Sequence, residues 1–269
     1  MINKIILSLI CACSSNLVVV PDKVPVEVVQ NLSSLPESTE ETVRIYFIRN
    51  GESEYSEKDA NGTKFTSGRS PAVSLNKRGI AQATNLREAL ASKIHNGVIY
   101  TPPALRAEQT AFLITSTEDE ISIGGVAEGL FEVGMGVWEG KPKDRAYKEE
   151  YQKWKSLSAY EKYTAPRVTT GESYYDASER ALKELNGIVD REQGRTIFVV
   201  SGENLLNALA LRWTGAELSR DPGSDLPMLP MKQCDFYMVE FSRGQPVETA
   251  KLKFLIHVEK VDSDNEINL

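Results

Sequence analysis

The chain has 269 residues, 41% of them hydrophobic and 26% charged, with a formal net charge of −7. This is a globular composition with enough apolar material for a sizeable core. The acidic balance and the lack of any basic cluster exclude a nucleic-acid surface, so an anion site would have to be built from particular Arg residues or helix N-termini.

The chain opens with Met1-Ile2-Asn3-Lys4, then an apolar run over 5–13, then Ser14-Ser15-Asn16. A cationic start, an apolar centre and a small polar end make the pattern of a secretory signal. Ile10-Cys11-Ala12-Cys13 resembles a bacterial lipobox, with Cys13 as the acylated residue. Residues 1–20 are therefore expected to be an export or lipoprotein signal that places the protein in the cell envelope. The alternative is a cytoplasmic protein whose first segment is an apolar strand or helix. The run is too short to cross a membrane, so a membrane contact would come only through an N-terminal lipid. Residues 21–42 carry Pro21, Pro25, Pro36 and a Ser/Thr/Glu-rich stretch and are expected to be a linker.

Residues 43–260 have the alternation of an α/β domain, with 261–269 as a C-terminal tail. Residues 43–48 are β-branched and aromatic, suited to a buried strand. Ile80, Ala83, Leu86, Leu90 and Ile94 recur at helical spacing within 75–94. A strand over 98–100 and a helix over 104–114 follow, then a strand-like run over 121–126. Helical spacing returns over 145–154 and 176–189. Residues 196–200 are a buried strand, 204–213 its helix with Gly215 as the stop, and 236–241 and 252–258 the last strands. The sum is a three-layer α/β/α sandwich around a mostly parallel sheet. Ligands of such sheets bind beyond the carboxyl ends of strands, here after Ile48, Tyr100 and Val200.

Three cysteines (Cys11, Cys13 and Cys234) and two histidines (His95 and His257) supply neither a disulfide framework nor a metal cluster. No metal and no cofactor are expected, and both histidines read as structural.

The strand ends carry motifs. Arg49-Asn50-Gly51-Glu52 follows the first strand. Leu75, Asn76, Gly79, Gln82, Ala83, Leu86 and Leu90 form a patterned helix. Further on come Pro103-Ala104-Leu105-Arg106-Ala107-Glu108-Gln109-Thr110-Ala111, then Glu132 with Gly136, Trp138, Glu139 and Gly140. Gly171-Glu172-Ser173 with Asp176 and Arg180, and Val199-Val200-Ser201-Gly202-Glu203, complete the set. In this order and spacing the six segments resemble the histidine phosphatase (phosphoglycerate mutase-like) superfamily, whose strands end in Arg-His-Gly-Glu and Val-Ser-His-Gly.

The resemblance implies a fold of that type and a chemistry in which one imidazole attacks phosphorus, Arg residues and a second His hold the phosphoryl oxygens, and a Glu protonates the leaving oxygen. Carried over by residue, Arg49 and Arg106 would clamp phosphate and Glu132 would be the proton donor. The nucleophile position is Asn50, whose carboxamide cannot form a phosphoramidate. The second His position is Gly202, and Glu203 brings a carboxylate into the phosphate pocket.

The expectation is a catalytically degenerate phosphatase fold with a binding or scaffolding role, its partner being a phosphate-bearing ligand or an unidentified protein. The alternative is an active phosphomonoesterase or mutase-like enzyme with a rewired site. Glu203, helped by Glu52 or Glu132, is expected to lie between Arg49 and Arg106. Reinstating histidine at 50 and 202 with glycine at 203 would then recover some hydrolysis. Ser53 and Ser201 are expected to bond or cap, and Trp138 to pack its loop.

Overall fold

The computed structural model describes residues 18–19, 25–29, 35–90, 94–115 and 121–258. Most of the expected export signal, with Cys11 and Cys13, lies outside the described residues, as does the expected tail at 261–269.

In chain order the strands and helices are β1 (Val18–Val19), β2 (Pro25–Val29), β3 (Thr42–Arg49), α1 (Lys77–Leu90), β4 (Gly97–Thr101), α2 (Leu105–Ile114), β5 (Ile121–Val126), α3 (Arg145–Lys155), α4 (Ala159–Thr164), α5 (Tyr174–Arg191), β6 (Thr196–Ser201), α6 (Glu203–Thr214), β7 (Phe236–Ser242) and β8 (Lys251–Val258). The strands make one sheet in the order β1-β2-β8-β7-β3-β6-β4-β5. The run β3-β6-β4-β5 is parallel, while β7 pairs antiparallel with both β3 and β8.

Strand periodicity divides the core into two layers. Val43, Ile45 and Phe47 of β3 face α5 and α6 with Ile197 and Val199, in one cluster with Ala181, Leu185, Leu205 and Leu209. Tyr46 and Ile48 point to the other face with Phe198 and Val200, against Ala83, Leu86 and Leu90 of α1 and Ala107 and Ala111 of α2. Successive residues of these strands are apolar because both faces are covered. This is the expected three-layer α/β/α sandwich.

Three features depart from the sequence reading. Within the expected linker, Pro25–Val29 forms a strand parallel to β8, and its proline sits at the first position, where a missing N–H is tolerated. Leu35 is buried against the α1 side of the core, so packing reaches back before residue 43. Helix α4 was not anticipated; Ser158 and Glu161 start it with a reciprocal capping box, a local signal that a six-residue helix leaves without periodicity.

The site lies where β3 and β6 run side by side and their loops diverge. After β3 the chain crosses through α1 to β4 on one side; after β6 it passes through α6 to β7 on the other. Such a reversal opens a crevice at the strands' carboxyl ends.

Candidate active site

The loop after β3 is set by two glycines. A Cβ on Gly79 would stand 2.0 Å from the Glu52 carbonyl oxygen, and one on Gly51 would stand 2.7 Å from that of Gly79. The bare backbones let the start of α1 press against the loop. Asn76 Oδ1 accepts from the Gly79 amide at 2.8 Å, and the Glu52 amide donates to Gln82 Oε1 at 2.9 Å. The Glu52 carboxylate accepts from Asn76 Nδ2 at 3.0 Å and pairs with Arg78 at 3.1 Å. It is therefore not a partner of Arg49 or Arg106, as the sequence reading allowed. Thr110 Oγ1 accepts from the Gly51 amide at 3.1 Å and Gln109 Oε1 from that of Leu75 at 2.8 Å.

Arg49, Asn50, Arg106, Glu132, Gly202 and Glu203 all line one cavity of about 210 Å³, so the sequence-derived set converges. Asn50 donates from Nδ2 to the Gly51 carbonyl at 2.8 Å, which turns its side chain onto its own loop. Arg49 pairs with Glu203 at 2.8 Å through one nitrogen and donates to the Met231 carbonyl through another. Arg106 is only 4% exposed and donates to the carbonyls of Ser70 at 2.8 Å and Gly68 at 2.7 Å. Burial lowers its pKa, opposed by the charges of Glu132 and Glu139. The expected bridge of Glu203 between two guanidiniums is thus only half present, because Arg106 is committed to backbone carbonyls.

Glu132 does something the sequence did not suggest. Its Oε1 accepts from the amides of Val133 and Leu205, each at 2.7 Å. Its Oε2 accepts from the Asn204 amide at 3.1 Å and from Asn204 Nδ2 at 3.2 Å. Both oxygens face N–H donors, each accepting from two of them. Gly202 is the N-cap of α6 and has no side chain to satisfy the helix's free amides. Glu132 serves them from another loop, and its charge suits the helix N-terminus. A Cβ on Gly202 would meet Glu132 Oε2 at 2.3 Å and Cδ at 2.6 Å. Any side chain at 202 must therefore displace this carboxylate, which counts against recovery of hydrolysis by histidines at 50 and 202 alone.

The loop of Glu132 is itself fixed. Glu172 binds Arg69 at 2.5 Å and Arg180 at 2.9 Å, and Arg180 donates onward to the carbonyls of Gly129 and Phe131. Ser173 caps α5 through the Asp176 amide at 3.0 Å. Ser201 Oγ donates to the Leu130 carbonyl at 2.7 Å and Ser53 Oγ lies 3.4 Å from Ser56 Oγ, so both hydroxyls have bonding roles. Trp138 Nε1 reaches Glu150 at 3.0 Å and its ring meets Tyr147 edge-on, as loop packing. His257 Nδ1 lies 2.5 Å from the buried Asp235 Oδ2, away from the cavity lining.

Three lining residues carry no sequence signal for this site. Arg167 stacks with Trp154, its guanidinium carbon 4.9 Å from the ring, and donates to Asn204 Oδ1 at 2.9 Å. Lys143 stands at the rim, held below the ordinary lysine range by desolvation and by the like charges of Arg167 and Lys64. Thr66 is 3% exposed, and its Oγ1 lacks a hydrogen-bond partner within the protein. Tertiary packing brings these three to the cavity from separate loops. Among the described residues no group of His, Cys, Asp and Glu could hold a metal ion, and no helix is long and apolar enough to cross a membrane.

Residues 45–251 match the family model of the histidine phosphatase superfamily, branch 1. No curated protein sequence matches the chain. Solved structures with the same fold include YhfR of Bacillus stearothermophilus, at 23% identity over 79% of this chain and 95% of that one, with a TM-score of 0.59. The alpha-ribazole phosphatase of Shigella flexneri is 22% identical over 81% and 100%, with a TM-score of 0.57. A mycobacterial glucosyl-3-phosphoglycerate phosphatase is 19% identical over 74% and 90%, also at 0.57.

Proposed function

The chain belongs to branch 1 of the histidine phosphatase superfamily, and we propose that its pocket no longer hydrolyses phosphomonoesters and instead binds an oxyanion-bearing ligand. The observation that carries this reading is the Glu132 carboxylate. On the motif alignment it stands at the proton donor's position, yet its oxygens are committed to the amides that open α6. It also fills the space that a side chain at 202 would need. Asn50 offers no nucleophilic nitrogen. Ser53 bonds Ser56, Ser201 bonds the Leu130 carbonyl, and neither His95 nor His257 lines the cavity to act as a base. The guanidiniums of Arg49 and Arg106 remain in the cavity, which favours a ligand with an oxyanion group over a purely structural fold.

The test is turnover of a generic phosphomonoester such as p-nitrophenyl phosphate by the purified chain. Turnover at background is expected; turnover clearly above background that disappears in Arg106→Ala would restore the enzyme reading. The protein is further proposed to reside in the cell envelope, because residues 1–13 have the pattern of a lipoprotein signal. Expressed in bacteria with its own N-terminus, it should fractionate with membranes and lose lipid labelling in Cys13→Ser. Intact chain in the cytosol would overturn that placement.

A further inference from the structure

The two carboxylates in the cavity are held very differently. Glu132 is 7% exposed and accepts hydrogen bonds at both oxygens. Glu203, two residues from Leu205 on the first turn of α6, has a side chain 42% exposed, and its recorded partner is Arg49 at 2.8 Å. One is a fixture and the other is held by an ion pair that a second anion can break.

The cavity also holds more positive charge than these two groups balance. Arg49, Arg106, Lys143 and Arg167 line it against Glu132 and Glu203. Lys143 faces Arg167 and Lys64, both of its own sign. Thr66 Oγ1 and Arg167 Nε are buried there without a partner in the protein. Displacing Glu203 would leave Arg49 open beside an already cationic, under-satisfied cavity.

From this geometry we infer that Glu203 is a built-in competitor for the oxyanion site on Arg49, so that an incoming oxyanion takes its place on the guanidinium, leaves Glu203 beside a second negative charge, and binds with uptake of a proton. The inference rests on the binding role proposed above and adds how that site is regulated. Ionised Glu203 occupies Arg49 and repels a second anion. Neutral Glu203 releases Arg49 and adds no repulsion.

The groups facing Glu203 set where this happens. Burial raises its pKa; Arg49 on β3 lowers it, the charge of Glu132 raises it again, and Arg167 lowers it. Tyr174 at the start of α5 also feels Glu203 but stays neutral, with its pKa raised chiefly by burial. The net shift is upward. Exchanging Arg49 for an oxyanion neighbour removes a charge that lowers this pKa and adds one that raises it, so the bound state holds the proton more tightly and oxyanion affinity should rise as pH falls toward the carboxylate range.

Sulfate is the probe, because it keeps its charge across this range whereas phosphate does not. Calorimetric titration of the full chain with sulfate at pH 8 and pH 5 should show tighter binding at pH 5. One linked proton allows at most about a tenfold gain per pH unit. Glu203→Gln keeps the shape at a half-exposed site, so it should fold; it should bind sulfate more tightly at pH 8 and lose most of the pH dependence, changing less than about twofold where a single group carries the linkage. In two buffers of different ionisation enthalpy, the native chain should take up protons on binding and the Gln variant should not. Sulfate affinity independent of pH, an equal pH slope in Glu203→Gln, or no sulfate binding by either protein would each overturn the inference. Those outcomes stay distinct from the phosphomonoester assay, where failure would appear as turnover.

Discussion

Two junctions frame the pocket, and each depends on a glycine for a different reason. At the β3–α1 junction Gly79 is excluded from carrying a side chain by backbone, the Glu52 carbonyl that would lie 2.0 Å from its Cβ. At the β6–α6 junction Gly202 is excluded by the Glu132 carboxylate, which would lie 2.3 Å away. The first contact is a condition of the fold, since neither peptide can move without shifting a strand or a helix. The second is a substitution of roles, in which a side chain from one loop serves the helix that another residue type would ordinarily cap. Three motif residues around the first junction are structural: Asn76 caps α1, and Gln82 and Gln109 bond loop amides. At the second, Gly202 and Glu203 line the cavity itself. The difference teaches that motif matches made by frame residues establish a fold without establishing its chemistry.

The strongest way to break this comparison is Gly79→Ala. Helix propensity alone would make it stabilising by about 1 kcal/mol. The backbone clash should reverse the sign and cost about 3 kcal/mol, near the upper end for single substitutions. Urea denaturation checks it, and a stabilised variant would mean that the two backbones do not hold the approach described.

How much of this was legible follows the same division. The strands and the long helices were readable because each carries a local period, and β3, β6 and α5 fall within a few residues of their sequence-derived limits. The six positions that line the cavity were readable because they lie in ordered motifs beyond strand ends. Arg167 was not, because its place depends on a stack with Tyr151 and Trp154 of α3 and Tyr174 of α5. Strand β2 was hidden by prolines in a segment that looks like a linker, and its pairing with β8 is non-local. The role of Glu132 was hidden most deeply. Its motif position suggests an acid, and only the missing side chain at Gly202, far along the chain, turns it into a cap.

The central claim is that the Glu132 carboxylate occupies the place of a side chain at 202 and caps α6. A double-mutant cycle of Gly202→Ala and Glu132→Ala, followed by denaturant unfolding, tests it most directly. Glu132→Ala should cost about 2–3 kcal/mol by stranding the Asn204 and Leu205 amides. Gly202→Ala should cost less, about 1–2 kcal/mol, by pushing the carboxylate off those amides. In the Glu132→Ala background the added methyl should be close to neutral, giving a coupling of at least about 1 kcal/mol. Equal costs for Gly202→Ala in both backgrounds would show that the two positions do not compete, and would contradict this account of the pocket.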